Sequence, residues 1–492
     1  MKKITKFICI ILAALMAFSG TSVALAKQKV TPVIVMHGLG GADLFNNYGT
    51  SEQSMIAQYG LDTDAMLKNQ TVMQEAVKLL DNGRNVNYNK LFGELGKILG
   101  STGFNCTANG NPQKGQGIDD EWYDSVQNHM EYLDRRNFSI NSIAKQVVRE
   151  VGAKNVYAFN YDWRLDMQET AKKLRKLVVT VKKKTHAKKV TIVGMSLGGA
   201  VISAYMDAYK KYNDVEKYVF VNGAQMGLDT ARLFRLDFTM DKKSVLAYLK
   251  HLEKSFEGGA QLETIRAIRA LGDARIGIAV NKLNKQVCKN PKRRKQFYLT
   301  VMKPWLANCP SPWECIPYGE FNACVKQMSK IGVLNKKSGL YKKIVRYHKI
   351  QGRFKKNVKW AKKHGAQTIF IANYGTRALP LTSKKNNHTD LIIDTKYASG
   401  GATVAQFGKK VKGSGKYVSP DRIINASSCV SPESTWFFKY VSHGIWRYNT
   451  QATKLLAHII TFKGKCTVKS VKKKYKKKQF IVVDKEQKIK NV

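Results

Sequence analysis

The stretch VTIVGMSLGGA, residues 190–200, constrains this chain more than any other. Val190, Ile192 and Val193 suit a buried strand, and the text after Ser196, LGGAVISAYMDAY, has the apolar spacing of a helix start. Gly194, Ser196 and Gly198 place a G-x-S-x-G pattern at the junction. A turn this tight needs glycine on both sides of the serine, because side chains there would collide with neighbouring backbone. The turn lifts the hydroxyl above a sheet and sets it at a helix N-terminus, where free N–H groups favour negative charge. That geometry suits a nucleophile.

The surrounding text supplies the rest of such a sheet. VTPVIVM, residues 30–36, reads as a strand running into HGLGG, residues 37–41. NVYAFNYDWRLD (155–166), EKYVFVNGA (216–224) and QTIFIANYG (367–375) read as further strands, with a lysine-rich helix over 167–184. Strands alternating with helices predict an α/β class chain with a mostly parallel, doubly wound sheet covered on both faces. Between about Asp229 and Gly365 the text turns helical and basic and is broken by KPWLANCPSPWECIPYGEF, which predicts a long inserted cap. The 492 residues, 43% of them hydrophobic, can bury a core of this size. The expected division is an export signal over 1–26, core over 27–228, cap over 229–365, core over 366–462 and a basic tail over 463–492. The run VKKKYKKKQ makes that tail read as a solvated arm.

The signal reading rests on Lys2, Lys3 and Lys6, an apolar run from Phe7 to Phe18, and small residues at Ala24 and Ala26. The apolar run is short of the roughly 20 residues that a membrane span needs. Cleavage after Ala26 would leave seven cysteines, and export would permit disulfides. Cys309, Cys315 and Cys324 lie close enough in sequence for one local bridge, and no CxxC with nearby histidine suggests a metal cluster. The formal net charge of +49 predicts attraction to anionic membrane or cell-wall surfaces. It carries no zinc-finger spacing or aromatic RNA-binding signature, so no specific nucleic-acid partner is expected.

Acyl transfer develops a negative oxygen that needs two backbone donors. Leu197 N–H, next to the serine, can supply one, and Leu39 N–H, just after His37 and Gly38, the other. Taken in order, PVIVMHGLGG, YDWR (161–164) and GMSLGG resemble the α/β-hydrolase lipases, and YDWR is similar to the lecithin:cholesterol acyltransferase-like branch. The resemblance covers the core in segments, but neither the cap nor the tail. It implies a capped, doubly wound sheet, a serine–acid–histidine order along the chain, and chemistry without a metal or organic cofactor.

His443, after the aromatic run of STWFFKYVSHGIWRYN, is similar to the family's terminal histidine. His37 reads as scaffold of the HGLGG loop, His458 as a helix-face residue, and His388 as too close to the expected acid. The acid loop departs from the family, because NNHTDLIIDTKYASGGATVAQ contains no Asp-Gly. Laying TDLIID on the family's DG-x-V pattern selects Asp390 and puts Leu391 in the glycine position. Laying GGATV on GDGTV leaves Asp394 as the alternative acid, with Asp421 a distant third. Were LIID extended, Asp390 and Asp394 would project to the same side roughly 13 Å apart, so only one could serve His443.

These readings imply an exported serine ester hydrolase acting on lipid or other hydrophobic esters. A lipid acyltransferase with the same triad is one alternative. A non-catalytic polyanion- or membrane-surface-binding protein with a degenerate hydrolase core is the other.

Overall fold

The computed structural model describes residues 30–81, 85–119, 123–135, 139–255, 259–378, 386–443, 449–476 and 478–492. The expected export signal and Gly444, the residue that follows His443, lie outside them. Eight strands form the main sheet: β1 (Val33–Met36), β2 (Val156–Phe159), β3 (Val190–Met195), β4 (Val215–Val221), β5 (Gln367–Tyr374), β6 (Thr435–Lys439), β7 (Phe480–Val483) and β8 (Ile489–Asn491). Their spatial order is β8-β7-β6-β5-β4-β3-β1-β2. Every pairing is parallel except β7 with β8. Near-continuous runs such as VIVM and VYAF form these strands because both faces of a parallel sheet are covered, leaving no polar face to alternate with.

The covering helices are α1 (Ser139–Val151), α2 (Met167–Thr185), α3 (Leu197–Tyr209), then, after an insertion containing α4 (Lys242–Ser255), α5 (Gly339–Lys363), α6 (Thr450–Thr461) and α7 (Val468–Tyr475). Successive strand residues point to opposite faces. Ile34, Ile192, Phe220 and Phe370 pack with Leu174 of α2, Val201 of α3 and Phe354 of α5. Val35, Val193, Val219 and Ile369 pack on the other face with Ile143 of α1 and Leu455 of α6. The result is an α/β-hydrolase fold.

The inserted region has a separate core, in which Phe234, Tyr298, Trp313, Phe321 and Met328 are buried together. Two boundaries differ from the sequence expectation. Helix α5 belongs to both cores: Leu340 and Ile344 pack in the insertion, whereas Phe354 and Val358 lie against the sheet. The helices over 70–101, counted with the first core segment, instead pack Val72, Tyr88 and Phe92 against Val287 and Val301 of the insertion.

The C-terminal segment is the larger correction. Residues 463–492 are not a solvated arm, since β7 pairs with β6, β8 closes the sheet edge, and α7 buries Val471. The lysine run of α7 faces solvent while FIVV, immediately after it, supplies Phe480, Ile481 and Val483 to the cores. Truncation after Lys463 should therefore unfold the protein rather than merely reduce its surface charge. At about 2 kcal/mol for each fully buried apolar side chain, the loss reaches the size of a domain's net stability, about 5–15 kcal/mol. Soluble yield and a calorimetric melt of the truncated chain check this; a cooperative transition at the full-length Tm would contradict it.

Candidate active site

Ser196 stands between β3 and α3 at φ 55°, ψ −120°, a left-handed conformation that non-glycine residues rarely adopt. Local hydrogen bonds hold it there. Its N–H donates to Val221 O at 3.0 Å, and its carbonyl accepts from Gly199 N at 2.9 Å and Ala224 N at 2.8 Å. The flanking glycines answer to close approach: a Cβ on Gly194 would lie 2.5 Å from Gly198 O, and one on Gly198 would lie 2.9 Å from His37 O. A Cβ on Gly38 would come within 2.9 Å of Ser196 Oγ, so the HGLGG backbone rests directly on the serine. Leu39 follows Gly38 in that loop, and Leu197 opens α3.

The YDWR segment latches the HGLGG loop. Tyr161 Oη donates to His37 O at 2.8 Å, and its ring stacks on the His37 imidazole at 4.3 Å. Tyr161 N donates to His37 Nε2 at 3.3 Å, leaving Nδ1–H to donate to Gly38 O at 2.7 Å. Trp163 Nε1 donates to Ala42 O at 3.0 Å. Arg164, wholly buried, pairs with both oxygens of Asp162 and donates to Phe104 O at 2.9 Å. The motif was visible in the sequence, but this bracing role was not, because the loop and motif lie more than a hundred residues apart.

Two further loops leave the same C-terminal edge of the sheet, after β5 and β6. His443 Nδ1 donates to Asp390 Oδ2 at 2.6 Å, and His443 N donates to Asp390 O at 2.7 Å. Asp390 Oδ1 accepts from Ile392 N at 3.0 Å and Ile393 N at 2.7 Å, so the carboxylate is fixed from both ends. Leu391, in the family's glycine position, adopts φ 92° with its side chain buried. The backbone keeps a glycine-like turn, and burial of the leucine offsets part of the conformational cost.

Residues 123–229 match the lecithin:cholesterol acyltransferase family. The matched stretch carries YDWR, the Ser196 elbow and Asp229, and it resembles the lecithin:cholesterol acyltransferase-like branch of the α/β-hydrolase lipases. It places the chain's chemistry in the broad class of lipid acyl transfer and ester hydrolysis. No curated protein matches the chain.

Asp394 is placed differently from Asp390. The LIID run is not extended: Asp390 N donates to Ile393 O at 3.1 Å, and Thr389 bridges Asp394 in a tight reversal. Asp394 therefore points toward the start of the insertion. Its Oδ2 accepts from Asp229 N at 2.8 Å, and its Oδ1 accepts from Asn387 Nδ2, also at 2.8 Å. Asn387 Nδ2 contacts Asp229 Oδ2 at 2.8 Å as well. Burial, then the neighbouring Asp229 carboxylate, pushes the Asp394 carboxyl up to about 7.

The remaining candidates have other partners. Asp421 is held by Ser419 Oγ, Tyr374 Oη and Lys439 Nζ. His388 stacks on Phe407, and burial lowers its imidazole to about 4. His458 lies on α6, with its imidazole also lowered by burial. From the insertion, His251 of α4 meets Ser442 Oγ at 3.2 Å, beside His443. That contact had no sequence signal. Among the described residues, no group of three or more His, Cys, Asp or Glu is placed to hold a metal ion, and no helix is long and apolar enough to cross a membrane.

A carboxyl whose folded pKa lies above its unfolded value near 3.8 binds its proton more tightly in the folded chain. It therefore contributes most stability at low pH, and that contribution falls as pH rises toward about 7. Asp394→Asn removes this dependence. The wild-type Tm minus the variant Tm should be more positive at pH 5 than at pH 8; an equal difference at both would refute the buried-pair account.

Proposed function

We propose that the chain is an exported serine ester hydrolase that cleaves lipid or other hydrophobic esters through Ser196, His443 and Asp390. His443 Nε2 takes the proton from Ser196 Oγ as the oxygen attacks the ester carbonyl. The N–H groups of Leu39 and Leu197 hold the oxyanion, and the helix N-terminus at Leu197 adds favourable field. His443 then protonates the leaving alkoxide. Water, deprotonated by the same imidazole, attacks the acyl-serine and releases the acid. Asp390 fixes the imidazole so that Nε2 is left free for the serine.

The observation that carries this reading is the 2.6 Å bond from His443 Nδ1 to Asp390. A third loop at the same edge of the sheet carries the strained serine. The bond also weighs against a degenerate core that only binds polyanions. The match to an acyltransferase family favours a second reading, in which an alcohol rather than water accepts the acyl group. The net charge of +49 supports a partner with an anionic surface, either membrane or cell wall.

Ser196→Ala should lower turnover on p-nitrophenyl esters by about three or more powers of ten without changing the melt. Asp390→Asn should cost up to about 10⁴, because the imidazole loses its fixed tautomer, whereas Asp394→Asn costs far less. Comparable losses in the two aspartate variants would remove Asp390 from the role. Adding competing alcohols and measuring the ratio of ester to acid product separates transfer from hydrolysis.

Binding to vesicles of anionic phospholipid should weaken steeply between low and physiological salt, since exposed lysines act through screened attraction. Sedimentation at several salt concentrations checks this, and salt-independent adsorption would assign the binding to apolar insertion.

A further inference from the structure

We propose that Cys106 and Cys309 form a disulfide bond that ties the inserted helical region to the core beside Arg164. The local sequence reading grouped Cys309 with Cys315 and Cys324, but the fold lays residues 308–309 along residues 104–106. Asn308 N donates to Asn105 Oδ1 at 3.0 Å, and Asn308 Nδ2 donates to Cys106 O at 3.1 Å. Both thiols are 1% exposed, and Cys309 Sγ lies 3.9 Å from Oδ1 of Asn105, the residue before Cys106. Cys309 Sγ also lies 3.7 Å from Phe104 O, the carbonyl that accepts from Arg164 Nη1. By contrast, Cys466 Sγ donates to Ile459 O at 3.5 Å, and Cys429 lies against Ser399 and Thr435.

The position gives the bond a purpose. Arg164 belongs to the segment whose Trp163 and Tyr161 brace the HGLGG loop. A covalent link at residues 106 and 309 fixes the floor beneath that brace and joins two segments about 200 residues apart, where cross-linking removes the most freedom from the unfolded chain. In the folded chain both sulfurs are buried, and the neighbouring Cys309, together with burial, pushes the Cys106 thiol far up, so the pair is out of reach of an external oxidant once folding is complete. The bond therefore forms during folding. One cysteine thiolate attacks a small-molecule or oxidoreductase disulfide and releases one thiol. The second cysteine thiolate then displaces the other thiol from the mixed disulfide. Two protein thiols are thereby oxidised as one external disulfide is reduced to two thiols.

The test is to refold the reduced full chain in a glutathione redox buffer, alkylate the free thiols and map the peptides without reductant. Because refolding supplies the oxidant, the outcome does not depend on the export reading or on ester hydrolysis. The expected result is a linked peptide pair containing Cys106 and Cys309. Cys106→Ser and Cys309→Ser, singly or together, should each lower the Tm by about 5 °C relative to oxidised wild type. Measured in dithiothreitol throughout, that gap should shrink. Complete alkylation of both cysteines in the wild type, or linkage of Cys309 to Cys315 or Cys324 instead, would overturn the proposal.

Discussion

Ser196 holds a backbone conformation that costs about 1–3 kcal/mol for a residue with a side chain, and much of the surrounding structure sustains it. The strand β3 ends in the sheet, α3 begins at once, and Val221, Gly199 and Ala224 fasten the peptide groups on either side. Each such bond has a modest net worth, about 1 kcal/mol, so the elbow depends on the whole β3–α3–β4 unit being packed. That packing comes from strands apolar on both faces and from helices lying on each side.

The same constraint reaches the HGLGG loop. It can rest on the serine only because Gly38 has no Cβ, and it stays there because Tyr161 and Trp163, in the segment that follows β2, hold the carbonyls of His37 and Ala42. Arg164 extends the brace to Phe104 and hence to the segment beside the insertion. On the other side, Asp394 and Asn387 secure the acid loop to Asp229, where the insertion begins. The loops at the C-terminal edge are therefore held by the insertion as well as by the sheet.

Features set by neighbours in sequence were legible before the structure: the elbow, the strand that carries it, the parallel class of the sheet. The tail was not, because VKKKYKKK dominates its composition while FIVV, which decides its fate, pairs with a strand about 40 residues earlier. The helices at 70–101 gave no sign of their partner, since Val287 and Val301 are remote in the chain. Asp390 and Asp394 could not be separated geometrically from LIID alone, as the extended reading missed the reversal at Thr389 and Asp394. What distinguishes them is contact with His443 on one side and with Asp229 and Asn387 on the other, none of it encoded within four residues.

The proposed mechanism requires that this arrangement activate one particular oxygen, Ser196 Oγ. The most direct measurement is to expose the folded chain to an alkyl fluorophosphonate, digest it and locate the adduct by mass spectrometry. The expected result is stoichiometric labelling on the peptide carrying Ser196, abolished in His443→Ala and slowed in Asp390→Asn. Labelling at another serine, or none in a chain that melts cooperatively, would contradict it.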